Sequence, residues 1–234
     1  MESHVNKKYS PVIVALDSDA DEKSVMDFIN RLDPDLCELK IGKYLFTKWG
    51  PDFVRTLVKK QFHIFLDLKF HDIPNTVFHA CVAAAELGVW MLNVHASGGF
   101  NMMQAACKAL EGYGETRPLL IAVTVLTSLA PDDLAAVGID KPLLQHVVSL
   151  AKLAKEAKLD GVVCSAHEVS AIKAACGQTF LTVTPGIRME SDATHDQVRC
   201  VTPAMAAAFG SDFGVIGRSI TQADDPLARL RSLG

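Results

Sequence analysis

The sequence has no cysteines at the Cys-x-x-Cys spacing, and its six cysteines are scattered along 234 residues. In a chain of this size they favour reduced, mostly buried thiols in a cytosolic protein. No apolar run approaches the roughly 20 residues that a membrane-spanning helix needs. The first ten residues, MESHVNKKYS, are too polar for a signal peptide. We therefore expect a soluble, cytoplasmic protein without a membrane partner.

Motifs that mark several common chemistries are also absent. The sequence contains no Walker loop, no Gly-x-Gly-x-x-Gly fingerprint and no Gly-x-Ser-x-Gly elbow. It has no His-x-x-x-His or carboxylate–histidine cluster at metal-ligand spacing, so we expect no metal site. The net charge of -4 and the pI near 6.0 argue against a nucleic-acid partner.

Short apolar runs alternate with helix-like segments along the whole chain. The eight runs are 11–17, 36–42, 63–69, 90–96, 119–127, 161–166, 179–186 and 213–219. They are nearly continuous in hydrophobicity, as in parallel strands that are covered on both faces. Eight repeats predict an α/β fold, a single (β/α)8 TIM barrel domain over residues 1–234. A doubly wound open sheet is the alternative, because periodicity alone does not separate the two.

Local signals for helix ends support this reading. Ser165 and Glu168 have the spacing of a capping box at the start of a helix. Gly88 and Gly177 stand where helices are expected to end.

A parallel barrel makes a specific demand on its functional residues. They should lie at the carboxyl ends of the strands. The first three runs place four ionisable residues towards that end, namely Asp17, Lys40, Asp67 and Lys69. Residues two apart in a strand point to the same side. Asp67 and Lys69 should therefore share one face of the third run, opposite Ile64, Leu66, Leu68 and Phe70.

Lys40 lies on the strand face that should point into the barrel, together with Glu38. It could be an ordinary interior lysine paired with Glu38 or Asp17, and Asp67 and Lys69 could form a structural ion pair. Burying an acid and an ammonium is costly unless both are paired, and barrel interiors favour branched apolar residues. Charges on neighbouring strands instead favour an alternating row of carboxylates and ammonium groups.

Such a row has a definite chemical use. A lysine between carboxylates stays protonated, because nearby negative charge favours the cation. It is then a poor base and a poor Schiff-base amine. It can still donate a proton and stabilise a carbanion or oxyanion as it forms. The row predicts carbanion chemistry.

Two later segments of the sequence are candidates for ligand binding. Residues 217–220, Gly-Arg-Ser-Ile, follow the eighth run, where this fold usually binds phosphate through backbone N–H groups and basic side chains. Residues 184–188 end the seventh run and precede the polar segment 189–200. That segment is either an active-site lid or a solvated surface loop. His95 ends the fourth run, where we expect a supporting hydrogen bond.

The motif Asp67-x-Lys69-x-x-Asp72, continued by Ile73-Pro74-Asn75-Thr76, resembles the signature of the orotidine 5′-phosphate decarboxylase family in its bacterial form. Other pieces match in order and approximate spacing: VALD ending at Asp17, LKIG with Lys40, VLTS with Thr127, VTPGIR at 183–188, DQVR with Gln197 and IGRSI with Arg218. The resemblance covers nearly the whole chain. It implies cofactor-free decarboxylation of orotidine 5′-phosphate to UMP, the last step of de novo UMP synthesis.

The resemblance also implies roles by position. Lys69 would protonate C6 of the pyrimidine, with Asp67 and Asp72 beside it and Lys40 completing the row and contacting the ribose. The other implied substrate contacts are Asp17 at the ribose, Thr127 at the base, and Gln197, Gly217 and Arg218 at the phosphate, with Pro185 and Arg188 nearby. Asp72, Ile73 and Thr76 would reach into a neighbouring subunit's site, which implies an obligate homodimer.

Two alternatives remain open. Sugar-phosphate decarboxylases and epimerases of the same superfamily can share the Asp-x-Lys-x-x-Asp strand but need magnesium. The continuation from His71 to Thr76 and Gln197 favours a nucleotide substrate. A non-catalytic barrel that binds a phosphate ligand is the second alternative, although it has little use for four charged residues at one rim.

Overall fold

The computed structural model describes residues 10–189 and 201–233. Within them, eight parallel strands form a closed barrel in sequence order. The strands are β1 (Val12–Ala15), β2 (Glu38–Gly42), β3 (Ile64–Phe70), β4 (Met91–His95), β5 (Leu119–Val123), β6 (Gly161–Val163), β7 (Leu181–Thr184) and β8 (Phe213–Ile216). Each strand falls on one of the eight predicted apolar runs.

Helices follow the strands around the outside of the barrel. They are α1 (Glu22–Ile29), α2 (Lys43–Lys59), α3 (Pro74–Ala85), α4 (Phe100–Ala109), α5 (Pro131–Ala136), α6 (Leu143–Glu156), α7 (Val169–Cys176), α8 (Pro203–Ala208), α9 (Arg218–Thr221) and α10 (Pro226–Arg231). In the part of the chain described, no helix is both long and apolar enough to cross a membrane.

The pairing of the first strand with the last decides between the two predicted folds. β1 pairs with β2 on one side and with β8 on the other, where Ile13 lies opposite Val215. An open sheet would leave two unpaired edges, so the (β/α)8 barrel is confirmed and the doubly wound alternative is wrong.

The strands carry two separate apolar cores, because successive side chains point to opposite faces of the sheet. Phe65 packs with Ile13, Met91 and Ile121 inside the barrel. The other face of β3 packs against the helices through Ile64, Leu66, Leu68 and Phe70, as predicted. Full burial of an apolar side chain of this size contributes about 1.5–3 kcal/mol.

The predicted helix signals are confirmed. Ser165 and Glu168 form a capping box, in which the Ser165 N–H donates to Glu168 Oε2 at 2.9 Å. Gly88 and Gly177 both have positive φ values, 77° and 91°, a region that glycine enters without the steric penalty of a Cβ atom.

Glu38 and Lys40 both point into the barrel, as predicted, but they do not form a pair. Glu38 is 1% exposed near the amino end of β2, where its Oε1 accepts the Ser10 N–H at 2.9 Å. Its other oxygen lies 3.0 Å from His63 Nδ1. The pairing of Lys40 with Glu38 considered from the sequence is therefore wrong, because two residues along a strand separate them by a full layer of the barrel.

The cysteines described by the structure are free thiols, four of them buried. Burial is the main cause that raises the pKa of both Cys37 and Cys81 to about 12. These thiols are therefore protonated and unreactive at neutral pH, in line with the sequence prediction of reduced, buried cysteines.

Candidate active site

Four charged side chains form a continuous row at the carboxyl ends of β1, β2 and β3. Lys40 Nζ lies 3.3 Å from Asp17 Oδ1 and 3.3 Å from Asp67 Oδ2. Lys69 Nζ donates to Asp67 Oδ1 at 2.5 Å. The order is acid, ammonium, acid, ammonium, which is the alternating row predicted from the sequence.

The row is most exposed at its Asp17 end and most buried at its centre. The side chain of Asp17 is 66% exposed, whereas those of Lys40 and Asp67 are 10% exposed and that of Lys69 is 24% exposed. A Cβ atom at Gly42 would lie 3.3 Å from Asp17 Oδ1 and 3.5 Å from Lys40 Nζ. Glycine at the end of β2 therefore leaves room for the outer pair of the row.

Asp67 is the centre of this electrostatic arrangement. Burial by itself would raise the pKa of its carboxyl group. The positive charges of Lys40 and Lys69, with hydrogen bonds from Lys69 and Asn93, outweigh burial and lower the pKa overall. Asp67 is thus ionised at neutral pH, and its charge is matched from two directions.

β3 departs from regular strand geometry where it carries these charges. Lys69 has a φ of 53°, in the left-handed region that a lysine rarely adopts. The register with β4 shifts between Leu66 and Phe70. Simple alternation along a strand therefore does not explain how Lys69 meets Asp67, although the predicted contact is present.

A cavity of about 650 Å³ opens beside the row. Asp17, Lys40 and Asp67 line one part of it. The segment after β7 contributes Pro185 and Arg188, the segment after β8 contributes Gly217 and Arg218, and α10 contributes Arg229. Three arginines thus line the same cavity as Asp17, Lys40 and Asp67, a composition that suits an anionic ligand.

The structure does not bring every predicted residue to this cavity, and Lys69, although it contacts Asp67, is not among the residues that line it. Asp72, Ile73 and Thr76 are exposed where α3 begins, and Ile73 is 66% exposed. The Asp72 carboxylate accepts the Ile73 N–H at 2.6 Å. Thr127 is exposed in the loop after β5. Gln197 and the proposed lid, apart from Met189, lie outside the described residues.

His71 and His95 lie together at the rim, with ring centroids 5.3 Å apart. Burial is the first cause that lowers the pKa of His95 to about 4, followed by the charges of His71, Lys43 and Lys69. His95 is therefore neutral at pH 7. Its expected hydrogen-bonding role stays a prediction.

Three residues at the site had no assigned role in the sequence interpretation. Asn93 is fully buried and bonded to both Asp67 and Lys69, Gly42 faces the Asp17–Lys40 pair, and Arg229 lines the cavity. Asn93 is a polar residue within the apolar run of β4, two residues before the strand ends, and the sequence could have marked it as a candidate on that ground. No signal in the sequence marked Arg229, because its helix follows the last strand and looks like an ordinary basic surface helix.

The described residues contain no group of three or more potential metal ligands.

Comparison with known proteins adds an independent observation. A family model described as "Orotidine 5'-phosphate decarboxylase / HUMPS family" matches residues 10–233. The chain is 55% identical over 223 residues to orotidine 5'-phosphate decarboxylase of Shewanella sediminis, with 95% of each chain covered. It is 58% identical over 215 residues to the enzyme of that name from Legionella pneumophila strain Paris, covering 92% of this chain and 93% of the relative.

A solved structure agrees with these sequence matches. Orotidine 5'-phosphate decarboxylase from Lactobacillus acidophilus has a TM-score of 0.85 to this chain at 40% identity, covering 96% of this chain and 97% of that one. With the family model matching nearly its whole length, this chain belongs to the orotidine 5'-phosphate decarboxylase / HUMPS family.

Proposed function

We propose that the charged row around Lys69 carries out the decarboxylation of orotidine 5′-phosphate without a cofactor. The overall reaction follows from the family and the named relatives: the chain converts orotidine 5′-phosphate to UMP and carbon dioxide in pyrimidine biosynthesis. The observation that carries the proposal is the contact of Lys69 with Asp67, beside a cavity that three arginines line.

Decarboxylation requires a fixed cation near the reacting carbon. Cleavage of the bond between C6 and the carboxylate releases carbon dioxide and leaves the electron pair on C6. The Lys69 ammonium stabilises that negative charge as it develops and then transfers a proton from Nζ to C6. Asp67 holds the ammonium in place, and Lys40 balances the charge of Asp67 on its other oxygen.

The remaining residues bind the parts of the substrate that do not react. Asp17 and Lys40 hold the ribose at the outer end of the row. Arg218 and the Gly217 N–H bind the phosphate, with Pro185 and Arg188 beside it and Gln197 from the segment 189–200. Thr127 contacts the base. Binding energy from the distant phosphate can be used to position C6 against Lys69.

The site is completed by a second copy of the chain. Asp72, Ile73 and Thr76 are solvent-exposed at the start of α3, and the Asp72 carboxylate bonds to its own loop. In the proposed homodimer these residues enter the partner's site, where Asp72 flanks Lys69. Residues 1–234 form one barrel domain in this proposal, which is supported by a family match over 10–233.

A magnesium-dependent reaction on a sugar phosphate is the competing function within this family. The motif from Asp72 to Thr76 favours the nucleotide, and so does the pairing of Asp67 with two lysines. A carboxylate held by two ammonium groups has little remaining negative charge to offer a divalent cation.

The test is loss of orotidine 5′-phosphate, followed by its ultraviolet absorbance, with and without a chelator. We expect turnover that is unchanged by the chelator. Absence of turnover, or turnover that a chelator stops and added magnesium restores, contradicts the proposal. A parallel assay with a hexulose phosphate and magnesium tests the competing function.

A further inference from the structure

Asn93 lies where β3 and β4 lose their regular pairing. Leu66 pairs with Leu92, and Phe70 pairs with Val94. Three residues of β3 therefore lie opposite one residue of β4, and that residue is Asn93. The two extra residues form a bulge that carries both Asp67 and Lys69.

The Asn93 side chain fills the gap left by this bulge. Its Oδ1 accepts the backbone N–H of Lys69 at 2.8 Å, and its Nδ2 donates to Asp67 Oδ1 at 2.7 Å. The Lys69 N–H can only donate, so the amide orientation is dictated by its neighbours. Asn93 is 0% exposed, so it makes both contacts away from water.

These two bonds act on different parts of the same arrangement. A lysine rarely adopts the left-handed region, and it persists there only where the surroundings impose it. The bond to the Lys69 N–H stabilises that backbone conformation. The bond to Asp67 Oδ1 orients the oxygen that also accepts the Lys69 ammonium.

We propose that Asn93 is a positioning residue, which sets the direction in which Lys69 presents its ammonium to the substrate. The inference rests on the proposed function, because it concerns the lysine assigned as proton donor. Neither Asn93 nor Lys69 is among the residues that line the cavity described above, and in this inference Asn93 acts on the substrate only through Lys69. It controls both the backbone that carries the lysine and the carboxylate that holds its charged end.

Asn93→Leu has nearly the same size and removes both bonds. A displacement of about 1 Å at a reacting group can lower the rate by about 100-fold. We therefore expect kcat to fall roughly 10- to 100-fold, whereas KM for orotidine 5′-phosphate changes by less than about threefold because the phosphate and ribose contacts remain.

Asn93→Asp provides a readout that a merely structural role does not predict. It keeps an acceptor for the Lys69 N–H but replaces the donor with a second carboxyl group, which lies beside Asp67 and Lys69, while Lys40 is bound to the other oxygen of Asp67. Protonation of the new group restores a donor to Asp67. We therefore expect kcat of this variant to increase, relative to wild type, as the pH falls.

Thr124→Val is the matched control. Thr124 is also buried at the active-site rim, and its hydroxyl donates to Val163 O at 2.9 Å without contacting the charged row. This variant loses a buried hydrogen bond of similar geometry. We expect it to lower the melting temperature without the decrease in kcat.

The outcomes separate the inference from the proposed function. If the wild type is active and both Asn93 variants keep the wild-type kcat, the inference alone is overturned. The inference is also overturned if kcat falls as much in Thr124→Val as in the Asn93 variants. A wild-type protein without turnover overturns the proposed function and this inference with it. If Asn93→Leu does not fold, the pH profile of the isosteric Asn93→Asp decides, and a profile parallel to wild type rejects the positioning role.

Discussion

Lys40 on β2 and Asp67 on the neighbouring strand β3 form an ion pair, with Lys40 Nζ 3.3 Å from Asp67 Oδ2. The other oxygen of Asp67 accepts Lys69 and Asn93. Oδ2 is thus bound from β2, and Oδ1 from β3 and β4, which fixes both the position and the charge of Asp67. The lowered pKa of Asp67 is the electrostatic consequence of this contact set.

Replacement of Lys69 by alanine tests the proton donor. We expect Lys69→Ala to lower kcat at least roughly 10²- to 10⁴-fold, the usual contribution of a single general acid, because charge stabilisation is lost as well. Lys43→Ala is the control, since Lys43 is an exposed lysine at the same rim but outside the row. Steady-state kinetics with orotidine 5′-phosphate measure both, and a near-normal rate in Lys69→Ala rejects the assigned role.

Mixed dimers test whether Asp72 serves a neighbouring site. Lys69→Ala and Asp72→Ala should each be inactive, but a hybrid dimer contains one site with both wild-type residues. After subunit exchange at equal amounts, we expect recovery of roughly one quarter of the wild-type sites.

A second mixture controls for this experiment. Lys69→Ala mixed with Lys40→Ala should recover no activity, because both residues belong to the same subunit's row. Failure of the first mixture to regain activity, with exchange demonstrated by differently tagged subunits, excludes donation across the interface.

Arg229 should contribute to phosphate binding, although it lies on the last helix. It lines the cavity with Arg188 and Arg218, whereas Arg231 on the same helix is exposed and does not. A hydrogen bond to a charged group contributes about 1.5–3 kcal/mol, so Arg229→Ala should raise KM by about 10-fold or more. Inhibition by inorganic phosphate should weaken in parallel. Equal constants for Arg229→Ala and Arg231→Ala contradict this assignment.

His95 should remain neutral at pH values where an ordinary histidine is protonated. Its pKa is lowered from 6.5 to about 4 in the folded protein, mainly by burial. Between these values the unfolded chain binds a proton that the folded chain does not. The corresponding stability is therefore present above pH 6.5 and is lost as the pH falls towards 4.

The free energy of unfolding that His95 contributes above pH 6.5 is roughly 1–2 kcal/mol, which is less than the full linkage value because solvent partly reaches the ring. His95→Gln should lose less stability than wild type between pH 7 and 4.5 in denaturant titrations. Ring signals of His95 in NMR should stay in the neutral form at pH 6. A ring that titrates near 6.5, or identical pH slopes for the two proteins, shows the prediction to be wrong.

Much of the fold could be predicted because it depends on local patterns. Continuous apolar runs mark strands that are buried on both faces, and the spacing of Asp17, Lys40, Asp67 and Lys69 places charges at corresponding strand ends. The closure of the barrel could not be predicted in the same way, because it depends on pairing between β1 and β8, which are far apart in sequence.

The stretch from Asp67 to Thr76 shows which features cannot be predicted from local sequence patterns. The sequence by itself determined that an acid and an ammonium would meet in β3 and that a polar turn would follow. Only the tertiary structure decided how they meet. The bulge, the left-handed Lys69 and the two bonds from Asn93 exist because β4 lies beside β3 with three residues opposite one. That mismatch is a property of two paired strands, and neither strand carries it alone.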